Sequence, residues 1–317
     1  MRTVRTLIPV LVGATLVLAC ACSRRSAPVA SRSSRSFPAG EGKLVRIELR
    51  SVAADVTVRP GDTIEVATEL TARSSSAAFS RRWIREHEPV MEDSPATLAI
   101  REPEHKSGLF FVGFLHTRAR VTVALPPSCR LEVKTTSGDV DLEGGAAMAA
   151  TTRIETGSGD VSIGGGSSDL AVHTVSGDVE ISGDPLDVLD VETASGDVRV
   201  DAEVRQALAE TGSGDLRLNR LAGNLSAVTS SGNVAATWDA AAATGELSIR
   251  SRSGDVVLRL PEGLAVSGVA TTRTGHISSR FQGSWSDRER TLTLSRPGGI
   301  SVSLHTSSGR ISLRHSS

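Results

Sequence analysis

Tyrosine is absent from this 317-residue chain, and aromatic residues together make up 3% of it. A thick core filled by large rings is therefore excluded. The abundance of Gly, Ser, Thr, Val and Ala suits a thin core between closely spaced sheets instead. Cysteine is almost as scarce. Two of the three, Cys20 and Cys22, lie near the N-terminus, so Cys129 stands alone and no disulfide framework can brace the fold. Following Pro126-Pro127 at the start of an expected strand, Cys129 reads as a small buried apolar residue. Neither sign of charge is in excess: the formal net charge is -1, with basic and acidic residues interspersed, which leaves no footprint for DNA or RNA. Enzyme signatures are missing as well. No Gly-x-Ser-x-Gly, His-Glu-x-x-His or phosphate-loop phrase occurs, and the seven His residues are scattered.

Long apolar runs are lacking too, with one exception. Leu7 to Ala19 is a 13-residue run preceded by Arg2 and Arg5, too short to span a bilayer and the right length for a signal-peptide core. Residues 1–19 are accordingly expected to be a lipoprotein signal peptide. Val17-Leu18-Ala19-Cys20 resembles the bacterial lipobox, which implies acylation of Cys20; Cys22, behind the poorer Ala19-Cys20-Ala21, is the alternative. An ordinary secretory signal or an uncleaved anchor is the competing reading. Acyl chains would hold the protein on a membrane, each buried methylene contributing about 0.8 kcal/mol. Residues 20–39 are Ser- and Arg-rich and read as a tether that cannot bury enough surface to order itself. Its arginines, Arg24, Arg25, Arg32 and Arg35, either lie against anionic headgroups or simply solvate a linker. By resemblance to the lipoprotein sorting rule, Ala21, where a retention signal has Asp, points to the outer membrane.

What the chain does have is one recurring phrase. Thr135-Thr-Ser-Gly138-Asp-Val140 returns around Gly159, Gly177, Gly196 and Gly214, and in degraded form at Gly232, Gly254, Gly275 and Gly309. Successive glycines are 21, 18, 19, 18, 18, 22, 21 and 34 residues apart, one supersecondary unit per repeat. Five residues before each Gly stands an apolar residue such as Val133, Ile154 or Val172, and two after it another, such as Val140, Val161 or Val179. Polar residues alternate with them. Period two on both sides of the Gly means a β-strand before and after it, with Ser-Gly-Asp turning the corner. The glycine is expected to supply a backbone conformation other residues resist, and the Asp to bond its local backbone. One two-strand unit cannot bury its apolar face, so the copies must stack at about 4.8 Å into an all-β solenoid.

That solenoid is expected over residues 40–317, with a worn first copy at Ile47-Glu-Leu49 and Ser51-Val-Ala-Ala54-Asp55-Val56, where Ala54 is aligned with the glycines. Residues 72–118 lack the phrase and hold Trp83 and four of the six Phe, so they read as an insertion that caps the open end of the stack. Within and just after that segment, Ser80 to His87 suggests a short helix, and Thr97 to Arg101 and Arg120 to Leu125 suggest strands.

Val121-Thr-Val123-Ala-Leu125-Pro126 leading into Leu131-Glu-Val133, the Ser-Gly-Asp copies, and the closing Leu304-His-Thr-Ser-Ser-Gly309-Arg-Ile311 resemble the bacterial adhesin-type β-strand-repeat family, also called toast-rack domains. The resemblance covers about residues 44–317. It implies a β-solenoid attached to the envelope, and it brings no catalytic or binding residues to carry over.

Stacking should align Asp139, Asp160, Asp178, Asp197 and Asp215 in a column, where carboxylates about 5 Å apart repel by roughly 0.8 kcal/mol in water. A bound cation such as Ca²⁺ would offset this, and so would backbone hydrogen bonding; Asn233, His276 and Arg310 at equivalent positions favour structural turns and no metal. Five near-identical carboxylates also lack the asymmetry that acid/base cleavage of a polysaccharide needs. The expected function is therefore a non-enzymatic, cofactor-free envelope scaffold or adhesin-like binding module whose partner is an envelope protein or polysaccharide. A carbohydrate-active β-helix enzyme or a cation-binding repeat protein is the alternative. Leu109, Phe110, Phe111 and Phe114, in the most apolar stretch after the leader, are the candidate partner contact unless they pack on the solenoid end.

Overall fold

The structure is a computed structural model in which residues 27–316 are described, apart from 104–113, 145–147, 149, 166, 240–243, 289 and 297. From its first strand, β1 (Val29–Pro38), the chain enters a coil made of β2 (Leu44–Glu48) and β3 (Ala53–Val58). An excursion through β4 (Thr63–Ser74), helix α1 (Ala77–His87) and β5 (Val90–Asp93) leads to a second coil, β6 (Thr97–Arg101) and β7 (Leu115–Leu125). Regular winding follows: β8 (Arg130–Thr135) with β9 (Val140–Gly144), β10 (Thr152–Thr156) with β11 (Val161–Gly164), and β12 (Asp169–Thr174) with β13 (Val179–Ser182). Next come β14 (Leu186–Ser195), β15 (Val198–Ser213) and β16 (Leu216–Ser231). The two longest, β15 and β16, each serve one coil with their first half and the next with their second, with register shifts near Asp201 and Val204 in β15 and between Leu218 and Leu221 in β16. After β17 (Val234–Trp238), β18 (Gly245–Ser253) and β19 (Val256–Leu260) form a coil. The chain finishes through β20 (Val266–Thr272), β21 (Ile277–Ser279), β22 (Ser284–Ser286), β23 (Thr291–Ser295), β24 (Ile300–Ser308) and β25 (Ile311–His315).

Two parallel walls result. In the wall before the glycines Val133, Ile154, Val172, Val191, Ala209, Ala227 and Ile249 are direct partners from coil to coil. Beyond the glycines Val140, Val161, Val179, Val198, Leu216, Val234 and Val256 are likewise paired in register. Strict alternation sends these residues inward, where nearly all are under 2% exposed and form one continuous core. Trp238 is the one aromatic ring fully buried among the described residues, so the thin aliphatic core expected from composition is what the walls enclose.

Coil order departs from chain order at both ends. The β2/β3 coil lies between β6/β7 and β8/β9, and the last coil, β24/β25, lies between β18/β19 and β20/β21. The outermost coils are then flanked by antiparallel strands: β5 on β6, β4 on β7 with β1 on β4, and β23 on β20 with β22 on β23.

Three expectations need correction. Residues 29–38, assigned to the tether, form β1, because Ser and Arg side chains need not be buried in an edge strand that draws its order from ten ladder partners on β4. Residues 72–118 are not a single cap: α1 (Ala77–His87) packs against β4 and β1 beside the N-terminal end, and Thr97–Arg101 pairs in register with β2 and belongs to the stack. Finally, Ala54 faces Val140, so it is Val52 that stands at the glycine position of the first copy. A shift of two leaves the inward set unchanged, which is why alternation could not fix that register.

Candidate functional site

The corner residues come together as one column. A Cβ built on Gly159, Gly177, Gly196, Gly214, Gly232 or Gly254 would lie 1.9 to 2.1 Å from the carbonyl oxygen of the glycine in the preceding coil. The column continues from Gly254 to Gly309 and then to Gly275, following the stacking order and not the chain order. Most of these glycines have no left-handed φ, so close backbone approach, and not an unusual backbone conformation, is what excludes a side chain.

The Asp column binds the coils to one another. Oδ1 of Asp139 accepts the backbone N–H of Asp160 at 3.1 Å, and the pattern repeats from Asp160 to Asp178, Asp178 to Asp197 and Asp197 to Asp215 at 2.8–2.9 Å. Asn233 takes the same place: its N–H donates to Asp215 Oδ1, its own Oδ1 accepts the N–H of Asp255, and Asp255 Oδ1 then accepts the N–H of Arg310. The carbonyl of each residue whose N–H donates in this ladder accepts an N–H from the preceding coil, as Asp160 does from Val140 at 2.9 Å. This differs from the bonding within one turn expected from sequence: each carboxylate caps an amide of the neighbouring coil, which directly opposes the repulsion between column members. Arg217 adds a contact to Asp215 at 2.8 Å and to Asp197 at 3.8 Å. Among the described residues no group of three or more His, Cys, Asp or Glu gathers as a metal cage.

A second feature was not anticipated. The outer surface of the wall before the glycines carries two open grooves. One, of about 600 Å³, is lined by Glu155, His173, Val175, Glu192, Glu210 and Val228, among others, and the other, of about 510 Å³, by Val188, Asp190, Gln206, Leu208, Asn224 and Glu246 with their neighbours. Both arise from the strand register, which sets His173 between Glu155 and Glu192 and then places Glu210 beside Glu192. Toward the N-terminal end the same row alternates in sign and pairs off, Arg101 to Glu48 at 2.8 Å and Lys134 to Glu155 at 2.7 Å. The Lys134 hydrogen bond holds the Glu155 carboxyl below its ordinary pKa. Past His173, which lies 3.3 Å from Glu192, the alternation stops, and Glu210 has no ion-pair partner among the described residues. Val175, Val188 and Leu208 are exposed on this face at 60%, 40% and 38%. The sequence signal for it was available: apolar side chains at outward positions of an otherwise regular alternation.

The remaining expected sites separate. Cys20, Cys22, Leu109, Phe110 and Phe111 lie outside the described residues, whereas Phe114 is half-buried with its ring 5.9 Å from that of His116. Cys129 is 1% exposed, and burial pushes its thiol pKa up despite Lys43 nearby. Lys43 is itself buried, donating to Asp93 at 2.6 Å and to the Pro38 carbonyl at 2.9 Å. Glu102, buried beside the first corner, accepts the N–H groups of Arg50 and Ser51 at 2.7 and 3.1 Å.

These features define a parallel β-solenoid whose coils are joined by glycine corners and a polar ladder. Within that class, the chain belongs to the Toastrack DUF4097 family, whose model matches residues 44–314. No curated protein matches it. Among solved structures it is similar to a candidate adhesin from Bacteroides fragilis, at 10% identity over 90% of this chain and 97% of that one, with a TM-score of 0.39. It is also similar to a candidate lipid-binding protein from Parabacteroides distasonis, at 13% identity over 90% and 97% with a TM-score of 0.36, and to a candidate cell-adhesion protein from Clostridium sporogenes, at 13% over 90% and 100% with a TM-score of 0.25. No helix among the described residues is long and apolar enough to cross a membrane.

Proposed function

We propose that this chain is a non-enzymatic binding module of the bacterial cell envelope, held on a membrane, the outer one in a diderm, by acylation at Cys20 and presenting its acidic outer wall to an extended partner. The grooved face from Glu155 to Glu246 carries this reading, because it is a continuous surface on a rigid stack where unpaired carboxylates sit beside exposed Val175, Val188 and Leu208. Neither groove has a Phe or Trp ring among its lining residues on which a sugar could stack, and the excess of Glu and Asp favours amines or guanidinium groups. A basic polypeptide segment of another envelope protein fits this chemistry better than a polysaccharide. The absence of acid/base asymmetry in the Asp column, each member of which holds the same backbone bond, supports a non-catalytic role.

The binding arm is tested by titrating an extended Lys-Ala repeat peptide into the protein at low ionic strength. Binding should weaken at least tenfold in Glu192→Lys/Glu210→Lys, with an unchanged melting temperature; equal affinity in both proteins, or a preference for an uncharged glucan over the peptide, overturns it. The anchor arm is tested by labelling with a palmitate analogue in cells. Label should vanish in Cys20→Ala and persist in Cys22→Ala, and label lost only in Cys22→Ala would move the anchor.

A further inference from the structure

The three antiparallel strands at the N-terminal end reach past the stack. Only from Arg120 onward does β7 pair with β3, so residues 115–119 of β7, together with their partners in β4 and the first residues of β1, overhang the last parallel contact as a three-stranded tongue. Helix α1 packs on one face of it. Leu70, Ala72 and Ile84 form a small core there, joined by half-buried Val29, Trp83 and Ala119 and separate from the core of the coils. Ser74 and Ser80, both buried, share a hydrogen bond of 2.9 Å that fixes the helix start to the end of β4.

The charge of this tongue is opposite to that of the grooved wall. Arg32 is paired with Glu69 and Arg82 with Glu86, whereas Arg81, Arg85 and Arg118 are exposed and have no carboxylate partner among the described residues. His116 is exposed beside them, and the Trp83 ring stacks on His87 at 4.1 Å. The tongue is also where the chain enters the fold: Val29 pairs with Ala72, and it stands only nine positions after Cys20. Fully extended, nine residues reach about 30 Å, and Arg24 and Arg25 lie within that stretch.

We infer that the tongue is a docking surface for an anionic membrane, its α1 arginines and Arg118 contacting lipid phosphates while the acidic wall is held away from the same surface. The inference rests on the anchor at Cys20 for its geometry, since that anchor keeps the tongue within reach of headgroups, and on unpaired arginines for its chemistry. The electrostatic asymmetry also sets an orientation, because a negatively charged bilayer attracts one end of the molecule and repels the grooved wall.

The test uses acylated protein purified from membranes and reconstituted on neutral phosphatidylcholine vesicles or on vesicles containing phosphatidylglycerol. Amide hydrogen exchange in α1 should be at least about fivefold slower on the anionic vesicles, and the difference should disappear in Arg81→Glu/Arg85→Glu/Arg118→Glu and in roughly 0.5 M salt. Exchange in β14 to β16 should not differ between vesicles. Should the triple variant fail to fold, the salt dependence of wild-type exchange gives the same reading. Protein that floats with both vesicle types and shows equal α1 exchange keeps the anchor and overturns the tongue. Protein that floats only with anionic vesicles, in a salt-sensitive manner, supports the tongue and removes the anchor.

Discussion

The middle of the stack and its two ends are built by different rules. From β8 to β19 each coil lies on the one before it in sequence, one glycine over the last, and local order in the chain becomes local order in space. At the ends that rule is broken twice: β6/β7 lies outside β2/β3 although it comes later, and β24/β25 lies inside β20/β21 although it comes last. The difference shows what an open end demands. A parallel coil leaves an unpaired edge, and only a strand running the other way in a hairpin can cover it at short range. Thus the antiparallel β22–β23 pair covers β20 through β23, and β5 covers β6, which leaves the coil that follows each nowhere to go except inside. Covered ends are obtained at the expense of sequence-local contacts, so the ends should form late in folding.

The sharpest way to break this comparison is to remove residues 300–317. In a stack wound in chain order the loss would peel off one coil and leave the rest intact. Among the described residues β24 and β25 are the only parallel partners of β20 and β21, so their removal should strip the C-terminal end back to β18/β19. The expected outcome is a urea m-value reduced by the surface of two coils together with protease cleavage between residues 261 and 299. Loss of a single coil's worth would contradict the interleaved order.

The second test targets the middle. Gly196→Val would drive Cβ to within 2.1 Å of the Gly177 carbonyl, backbone against backbone with no flexible side chain to give way. A cost of about 3 kcal/mol or more is expected, read as a fall in the urea midpoint. Gly61→Ala, with nothing within 4 Å of its Cβ, should change stability by less than about 0.5 kcal/mol. Comparable effects at both positions would show that the column is not held by close approach.

Residues of the middle were legible because one physical constraint repeats there. Thr156-Gly-Ser-Gly159-Asp-Val161 and its copies encode the corner, the ladder and the inward set at once, and period two does the rest. The ends were not, for equally physical reasons. No Ser-Gly-Asp phrase directly follows Thr97–Arg101 in the sequence, so that segment resembled any short strand, although Leu98 and Ile100 already carried the alternation. The 34-residue gap before Gly309 signalled an excursion, but nothing in residue order says whether a returning strand lands outside or inside its predecessor. The outer wall was readable in part. Leu208 and Val175 stand where Glu and Ser-like residues would keep the pattern, while the acidic row that faces them exists only once strands are in register.

The smallest expected effect lies at the seam between the two regimes. Where the β3 coil of the N-terminal end meets β9, register sets Asp55 directly beside Asp141, like charge on like. Partial desolvation, then Asp55, raises the pKa of Asp141 above its usual 3.8, and Arg120 opposes this while it pairs with Asp55 at 2.5 Å. A carboxyl whose folded pKa is raised favours the folded state when protonated, so this contribution is present at low pH and is lost as pH rises through the folded value. Asp141→Asn removes the penalty at neutral pH and changes nothing where both states are already protonated. Its melting temperature should exceed wild type by about one to two degrees at pH 7, with the gap closing as pH falls through the folded value and gone below about 3.8. A variant less stable than wild type at pH 7 would mean that the Asp141 carboxylate holds the seam together, and the boundary between end and middle would then be a joint and not a point of strain.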